Sequence, residues 1–223
     1  MGIISLTNTN KLYWLGRYSE RVYTTIRLFG ASFDRLIEGE ELGGIGAFCA
    51  SLNIPNIYTS GDDFVERYLF DEQNPDSVLS NLTRAYDNAM TLREEIGSEC
   101  LSYIQLAIYA MNSLRGDESP MFGMQRVIDD ILAFWGLTDD IIPDENLRNI
   151  IKVGKRVERL DLYARLHVGK SDIQREVSRL AVRISRTNLQ YDQADIDRLK
   201  ALAEAEEMPY DEIVTLVDNL VKI

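Results

Sequence analysis

The chain has 223 residues, of which 45% are hydrophobic and 27% charged, the composition of a folded globular protein long enough to bury a sizeable core. Its net charge of −12 argues against non-specific nucleic-acid binding by the molecule as a whole, although a local basic stripe can still hold an anion. Two cysteines, Cys49 and Cys100, have no second Cys or His at metal-ligand spacing; they fit core thiols of a reducing compartment rather than a disulfide framework.

The N-terminal Met1-Gly2-Ile3-Ile4-Ser5-Leu6 lacks a basic segment followed by a long apolar one, and Leu6 breaks the myristoylation pattern. No run approaches 18 apolar residues, so a cytoplasmic protein without a membrane span is expected. From there on, helical periodicity recurs and strand alternation does not. A first helix is predicted from near Asn10 to about Glu38. Gly43-Gly44-Ile45-Gly46 introduces a short apolar helix that ends before Pro55. After a loop over 56–61, Asp62 or Asp63 opens a helix through Phe70. Asn74 as N-cap and Pro75 at the first helical position then start a helix that runs past Glu95. Another spans about Ser98 to Leu114 and is ended by Arg115-Gly116-Asp117.

Helices over 121–136 and 144–168 follow, with Pro143 near the start of the second. Ser171 and Gln174 form a capping box for a helix whose apolar stripe is Ile173, Val177, Leu180, Ala181 and Ile184. Two shorter helices, over about 192–207 and 210–222, complete the chain, the last introduced by Pro209. The expected architecture is all-α: a helical bundle over 1–170 and a C-terminal helical appendage over 171–223, packed on the same domain.

An internal repeat carries the most information. Leu15-Gly16-Arg17-Tyr18-Ser19-Glu20-Arg21, ending in Arg27-Leu28, aligns without gaps to Val153-Gly154-Lys155-Arg156-Val157-Glu158-Arg159, ending in Arg165-Leu166. At 100° per residue, Gly16, Glu20, Tyr23 and Arg27 share a face, as do Gly154, Glu158, Asp161 and Arg165. The glycine admits a close helix, and the two motif helices are expected to cross at Gly16 and Gly154. Two readings of the shared face stand: a site at a pseudo-two-fold axis, or paired helices with satisfied salt bridges. In the helix after Pro75, Arg93 falls on the stripe of Leu82, Tyr86, Ala89, Ile96 and Cys100, which predicts a buried guanidinium paired with Glu20 or Glu158. Arg84, Asn88 and Glu95 form a separate polar row.

These segments resemble the bacterial alpha-E family. Leu12-Tyr13-Trp14-Leu15-Gly16-Arg17-Tyr18-Ser19-Glu20-Arg21 is similar to its N-terminal signature. Arg84-Ala85-Tyr86-Asp87-Asn88-Ala89, with Leu92-Arg93-Glu94 and Glu99, is similar to its central helix, and Gly154-Lys155-Arg156-Val157-Glu158-Arg159-Leu160-Asp161 to its second motif. Tyr86 and Met90 stand where the family often has basic residues, and Lys155 replaces an arginine. The resemblance implies an α-helical bundle named for its glutamates. It also implies association with circularly permuted ATP-grasp ligases and transglutaminase-like proteins, in peptide or amide-bond chemistry.

Other chemistries lack their residues. The only histidine, His167, has Ala164 three positions before it rather than the Glu of a di-iron bundle, and its place near a helix end suits capping or the surface. Asp129-Asp130 and Asp139-Asp140 lack the third aspartate of a magnesium array, and Gly44-x-Gly46-x-x-Cys49 lacks the third glycine and the preceding strand of a dinucleotide loop. Neither a metal nor a cofactor is implied. Trp14 and Trp135 are expected in the core, each with an N–H needing a partner. Arg175, Arg179, Arg183 and Arg186 form a stripe that either faces solvent, paired with Asp172 and Glu176, or receives an acidic partner or a phosphate.

Three functional readings result: a binding or accessory component of an ATP-grasp-type peptide or amide ligase, a stand-alone enzyme on a peptide or small amide or carboxylate substrate, or a structural interaction module. In the enzyme reading Glu20 and Glu158 are the acid and base. Arg17, Arg21, Asn88, Arg93, Arg159 and Asp161 are the candidate ligand- or anion-binding residues. Arginine in surplus over carboxylate, facing a cavity, favours a ligand site, whereas one-to-one pairing favours a scaffold.

Overall fold

The amphipathic spacing of the sequence becomes ten helices among the described residues of the computed structural model, which are 5–37, 41–117 and 120–222. They are α1 (Leu6–Ile37), α2 (Glu41–Leu52), α3 (Gly61–Phe70), α4 (Val78–Thr91), α5 (Arg93–Ser113), α6 (Pro120–Asp140), α7 (Glu145–Arg165), α8 (Lys170–Ile184), α9 (Gln193–Glu204) and α10 (Tyr210–Asp218). The only extended pairing among these residues is an isolated antiparallel bridge between Gln190 and Lys222. The expected end of the first helix near Glu38 lies outside the described residues.

Several starts and stops differ from the sequence expectations, and three of them have a local reason. Asn74 does not cap α4. Its Oδ1 accepts the Asp76 N–H at 3.0 Å in an Asx turn, its Nδ2 donates to the Tyr58 hydroxyl at 3.1 Å, and Ser77 caps the helix by accepting the Ser80 N–H. Ser171 lies inside α8, which starts after Gly169 without a side-chain cap; Gln174 donates to Glu204 on α9 instead of closing a capping box. The helix expected to run past Glu95 ends at Thr91. Leu92 leaves helical geometry, and Gly97 adopts a positive φ of 82° inside α5.

α7 is the hub. It packs along α1 and also carries α8 and α10, while α9 joins α8 to α10. α4 lies against α1 and α5, and α5 pairs with α6. One continuous core results, with Leu12, Leu15 and Val22 of α1 meeting Ile150, Val153, Val157 and Leu160 of α7, all fully buried.

The α1–α7 contact is made backbone to backbone. A Cβ on Gly16 would lie 2.0 Å from the Ile151 carbonyl oxygen, and one on Gly154 would lie 2.0 Å from the Tyr13 carbonyl oxygen. The contact is reciprocal, because each glycine rests on the turn that precedes the other. The motif helices therefore cross at their glycines, as their shared face implies.

Alanine at either position should push the helices apart. Gly16→Ala and Gly154→Ala are each expected to destabilise by about 3 kcal/mol, the upper end of ordinary overpacking costs, since the obstructing atoms are backbone. Gly136→Ala in α6, where an added Cβ meets nothing within 4 Å, should instead gain up to about 1 kcal/mol of helix propensity. Denaturant midpoints of the three variants check the contrast, and equal effects would disprove the backbone contact.

Candidate functional site

Because α1 and α7 touch at their glycines, the residues one helical turn later are carried across to each other. Glu20 and Glu158 are 0% and 1% exposed, and each takes its arginines from the opposite helix. Glu158 Oε2 accepts from Arg17 Nε at 2.6 Å, and its Oε1 accepts from Arg21 Nε. Glu20 is held in a fork by Arg159, with Nε donating to Oε1 at 2.5 Å and Nη2 to Oε2 at 2.9 Å, and the Thr24 hydroxyl also donates to Oε1 at 2.6 Å. The Glu-Arg pairs of the two repeats thus exchange partners across the crossing.

A third glutamate belongs to this network. Glu176 of α8 is buried and accepts from Arg156 at 2.6 Å and Arg179 at 2.8 Å, with Arg159 at 3.7 Å. From the sequence it is expected only as a partner for the arginine stripe on a solvated face. A signal was present, since Glu176 falls between Ile173, Val177 and Leu180 on the apolar side of α8. The stripe itself is paired: Arg175 with Asp172, Arg179 with Glu176, Arg183 with the Asn149 side chain and Arg186 with Glu145.

The two ends of the exchange are not electrostatically equal. Burial alone would raise the Glu158 carboxyl, but Arg21 and Arg17 hold it below the usual glutamate value. Burial raises the Glu20 carboxyl above that value, against the opposing pull of Arg159, Lys155 and Thr24. The difference traces to one position of the repeat. Arg17 bonds Glu158, whereas its counterpart Lys155 makes no ion pair with Glu20 among the described residues and sets its Nζ 3.1 Å from the centre of the Trp135 ring. Burial pushes the Lys155 ammonium down to about 6, with Glu20 opposing the shift. Trp135 is in the core beside Tyr23, at 4.8 Å between ring centres, and its Nε1 finds no hydrogen-bond partner among the described residues.

The remaining candidates fall in three places. Asp161 is buried beside the exchange, accepting from Arg165 Nε at 2.8 Å; burial and the neighbouring Glu158 raise its carboxyl to about 6. Arg93 does not pair with either glutamate. It is exposed and donates to the Ser98 hydroxyl at 2.9 Å, because the break at Leu92 and Gly97 ends the stripe that would have turned it inward. Asn88 lies apart from the exchange, in a groove of about 340 Å³ between α1 and α4, whose walls also include Trp14, Tyr18, Arg84 and Asp87. Trp14 is half-buried, its ring 5.2 Å from that of Tyr18, and Arg17 stacks on it at 4.9 Å. The guanidinium that bonds Glu158 therefore also backs the groove. His167 is exposed, adopts φ 50° just past α7 and stacks on Tyr210 at 4.4 Å.

Chemically, the exchange favours structure over proton transfer. A general base needs an oxygen open to substrate, and the oxygens of Glu20 and Glu158 are taken by arginines and a hydroxyl. Among the described residues no group of three His, Cys, Asp or Glu side chains is arranged to hold a metal ion, and no helix is long and apolar enough to cross a membrane.

A family model described as a predicted alpha-helical domain with a conserved ER motif matches residues 8–207. That span runs beyond residue 170, where the recognisable motifs stop, and through α8 and α9. No curated protein and no solved structure matches the chain. Two Glu-Arg pairs, Glu20-Arg21 and Glu158-Arg159, meet at the crossing, whereas Glu66-Arg67 lies on α3 away from it.

Glu158→Gln should cost about 3–5 kcal/mol, the usual loss when one member of a buried pair is removed, because it strands both Arg17 and Arg21. Glu20→Gln should cost clearly less, since burial already favours the neutral carboxyl and Arg159 keeps Glu176 nearby. The Glu158 contribution is fully present above the unfolded pKa and is lost as pH falls through the depressed folded value, so its variant should show a shallower acid limb. Urea midpoints across the acid range measure both points.

Lys155 has the same sign of linkage as Glu158, in a higher pH window. Its folded pKa of about 6 lies below the unfolded 10.5, so the unfolded chain holds the extra proton between these values and stability rises with pH across that window. Lys155→Met should flatten this rise and be no less stable than the parent at neutral pH. Thermal midpoints between pH 6 and 10 test it, and parallel curves for the two proteins would exclude the burial effect.

Proposed function

Since the chain belongs to the Alpha-E family, we propose that it is a helical binding component of an ATP-grasp-type peptide or amide-ligase system. The observation that carries this reading is the division of labour among the motif residues. The buried glutamates have their oxygens occupied, which leaves no open acid or base at the crossing. Several motif residues that reach solvent gather in the α1/α4 groove, where Trp14, Tyr18, Arg84, Asp87 and Asn88 present rings, charges and an amide to a ligand or partner.

The charge network supports the same division. Arg17 links the two regions, with its Nε on Glu158 and its guanidinium face on Trp14. The exchange thus holds the aromatic wall of the groove at a fixed angle. The partner class, a circularly permuted ATP-grasp ligase or a transglutaminase-like protein, comes from the family resemblance. An enzyme acting through Glu20 and Glu158 would need those carboxylates open to substrate.

Reconstitution separates the readings. Arg84→Ala and Asn88→Ala change side chains at the groove surface and should leave the melting temperature nearly unchanged, within about 0.5 kcal/mol of stability. Each should weaken capture of the ATP-grasp ligase from the same organism, or its ATP-dependent ligation, by at least about tenfold. Full ligation with both variants would overturn the binding role. ATP-independent amide turnover by the isolated chain, lost in a folded Glu20→Gln protein, would establish the enzyme instead.

A further inference from the structure

Resting on the groove as the ligand-binding face, we infer that it takes a zwitterionic dipeptide, with an aromatic or branched side chain laid on Trp14 and Tyr18. The first ground is charge left uncompensated. Lys11 of α1 and Asp87 of α4 line the same groove, yet among the described residues neither takes part in an ion pair. Other charged neighbours in this chain do close on each other, as Arg67 does with Asp63 and Asp71, or Arg115 with Glu72. Here Lys11 and Asp87 put opposite charges on the lining of one groove without an ion pair between them, so both are available to a ligand carrying both signs.

The second ground is the set of polar groups on the lining. Arg84 donates to the Pro75 carbonyl at 3.1 Å and lies 5.8 Å over the Tyr18 ring, so its guanidinium is held at the groove wall. With Lys11 it offers cations for a carboxylate, while Asp87, three residues on along α4, offers an anion for an ammonium. Asn10 and Asn88 supply amide donors and acceptors suited to the peptide unit between the two ends.

The third ground is the hydrophobic wall and its size. The Trp14 and Tyr18 rings are tilted 32° to each other and backed by Arg17, a fixed surface for an apolar side chain. A volume of about 340 Å³ is at the small end of the roughly 300–1,000 Å³ range of small-molecule sites, enough for a dipeptide.

The test is a titration of the intact chain with Gly-Phe, followed by amide and indole nitrogen–proton NMR. Saturable shifts are expected at the Trp14 indole and the Asn88 side-chain amide. Acetylating the amino end and amidating the carboxyl end of the dipeptide should weaken binding by at least about tenfold. Asp87→Asn should lose the preference for a free amino end, and Lys11→Met the preference for a free carboxylate, each in a protein whose remaining spectrum is unchanged. Absence of a saturable shift at the groove up to about 10 mM, or equal affinity for free and blocked dipeptide, overturns the inference. If Arg84→Ala and Asn88→Ala abolish ligase capture while Gly-Phe does not bind, this inference fails and the binding role stands. If Gly-Phe binds and ligation ignores those variants, the reverse holds.

Discussion

When two helices approach until their backbones touch, nothing larger than hydrogen fits between them, and whatever stands one turn further on must settle its charge inside. That is the situation of α1 and α7. Gly16 and Gly154 bring Tyr13 and Ile151 carbonyls into contact distance, so Glu20 and Glu158 have no route to bulk water. A buried carboxylate without a partner is far more costly than any single packing gain, and the partner has to come from the facing helix. The Arg17, Arg21 and Arg159 side chains meet this demand, and their exchange fixes the register of the crossing on which the other helices are laid.

The mirrored backbone contact does not produce mirrored electrostatics. Glu158 receives two arginines and is held ionised, whereas Glu20 receives one, with Lys155 turned onto the Trp135 face. Substituting a lysine for the repeat's arginine removes a planar fork that can satisfy two oxygens and leaves a point charge that is costly to bury. α8 adds a further carboxylate to this end. Its Glu176 enters the same end of the crossing and collects Arg156 and Arg179. α8 is thereby tied electrostatically to α7, and the family match passes through it and α9.

For function, the consequence is that the most distinctive residues of the motif and the most accessible ones do different things. The glutamates hold the frame; the rings and polar groups of the α1/α4 groove meet solvent. Arg17 belongs to both regions, so a change at the buried end is transmitted to the Trp14 ring through one rigid guanidinium. Activity losses in glutamate variants are consequently ambiguous between lost chemistry and a displaced aromatic wall, while changes at Asn88 or Asp87 address the groove directly.

The helical class, the glycine of each motif helix and the placing of its glutamate on the same face were legible in the sequence. All are consequences of angular position within a single helix, which spacing alone determines. Arg93 shows where that logic stops. Its stripe assumed an unbroken helix from Leu82 to Cys100, and a departure from helical geometry at Leu92, followed by the positive φ of Gly97, rotates everything beyond it. Which arginine meets which glutamate, why Lys155 lies on Trp135 instead of Glu20, and how Glu176 joins them were decided by tertiary structure. These pairings depend on the distance and phase between helices far apart in the chain, and no periodicity within one helix encodes them.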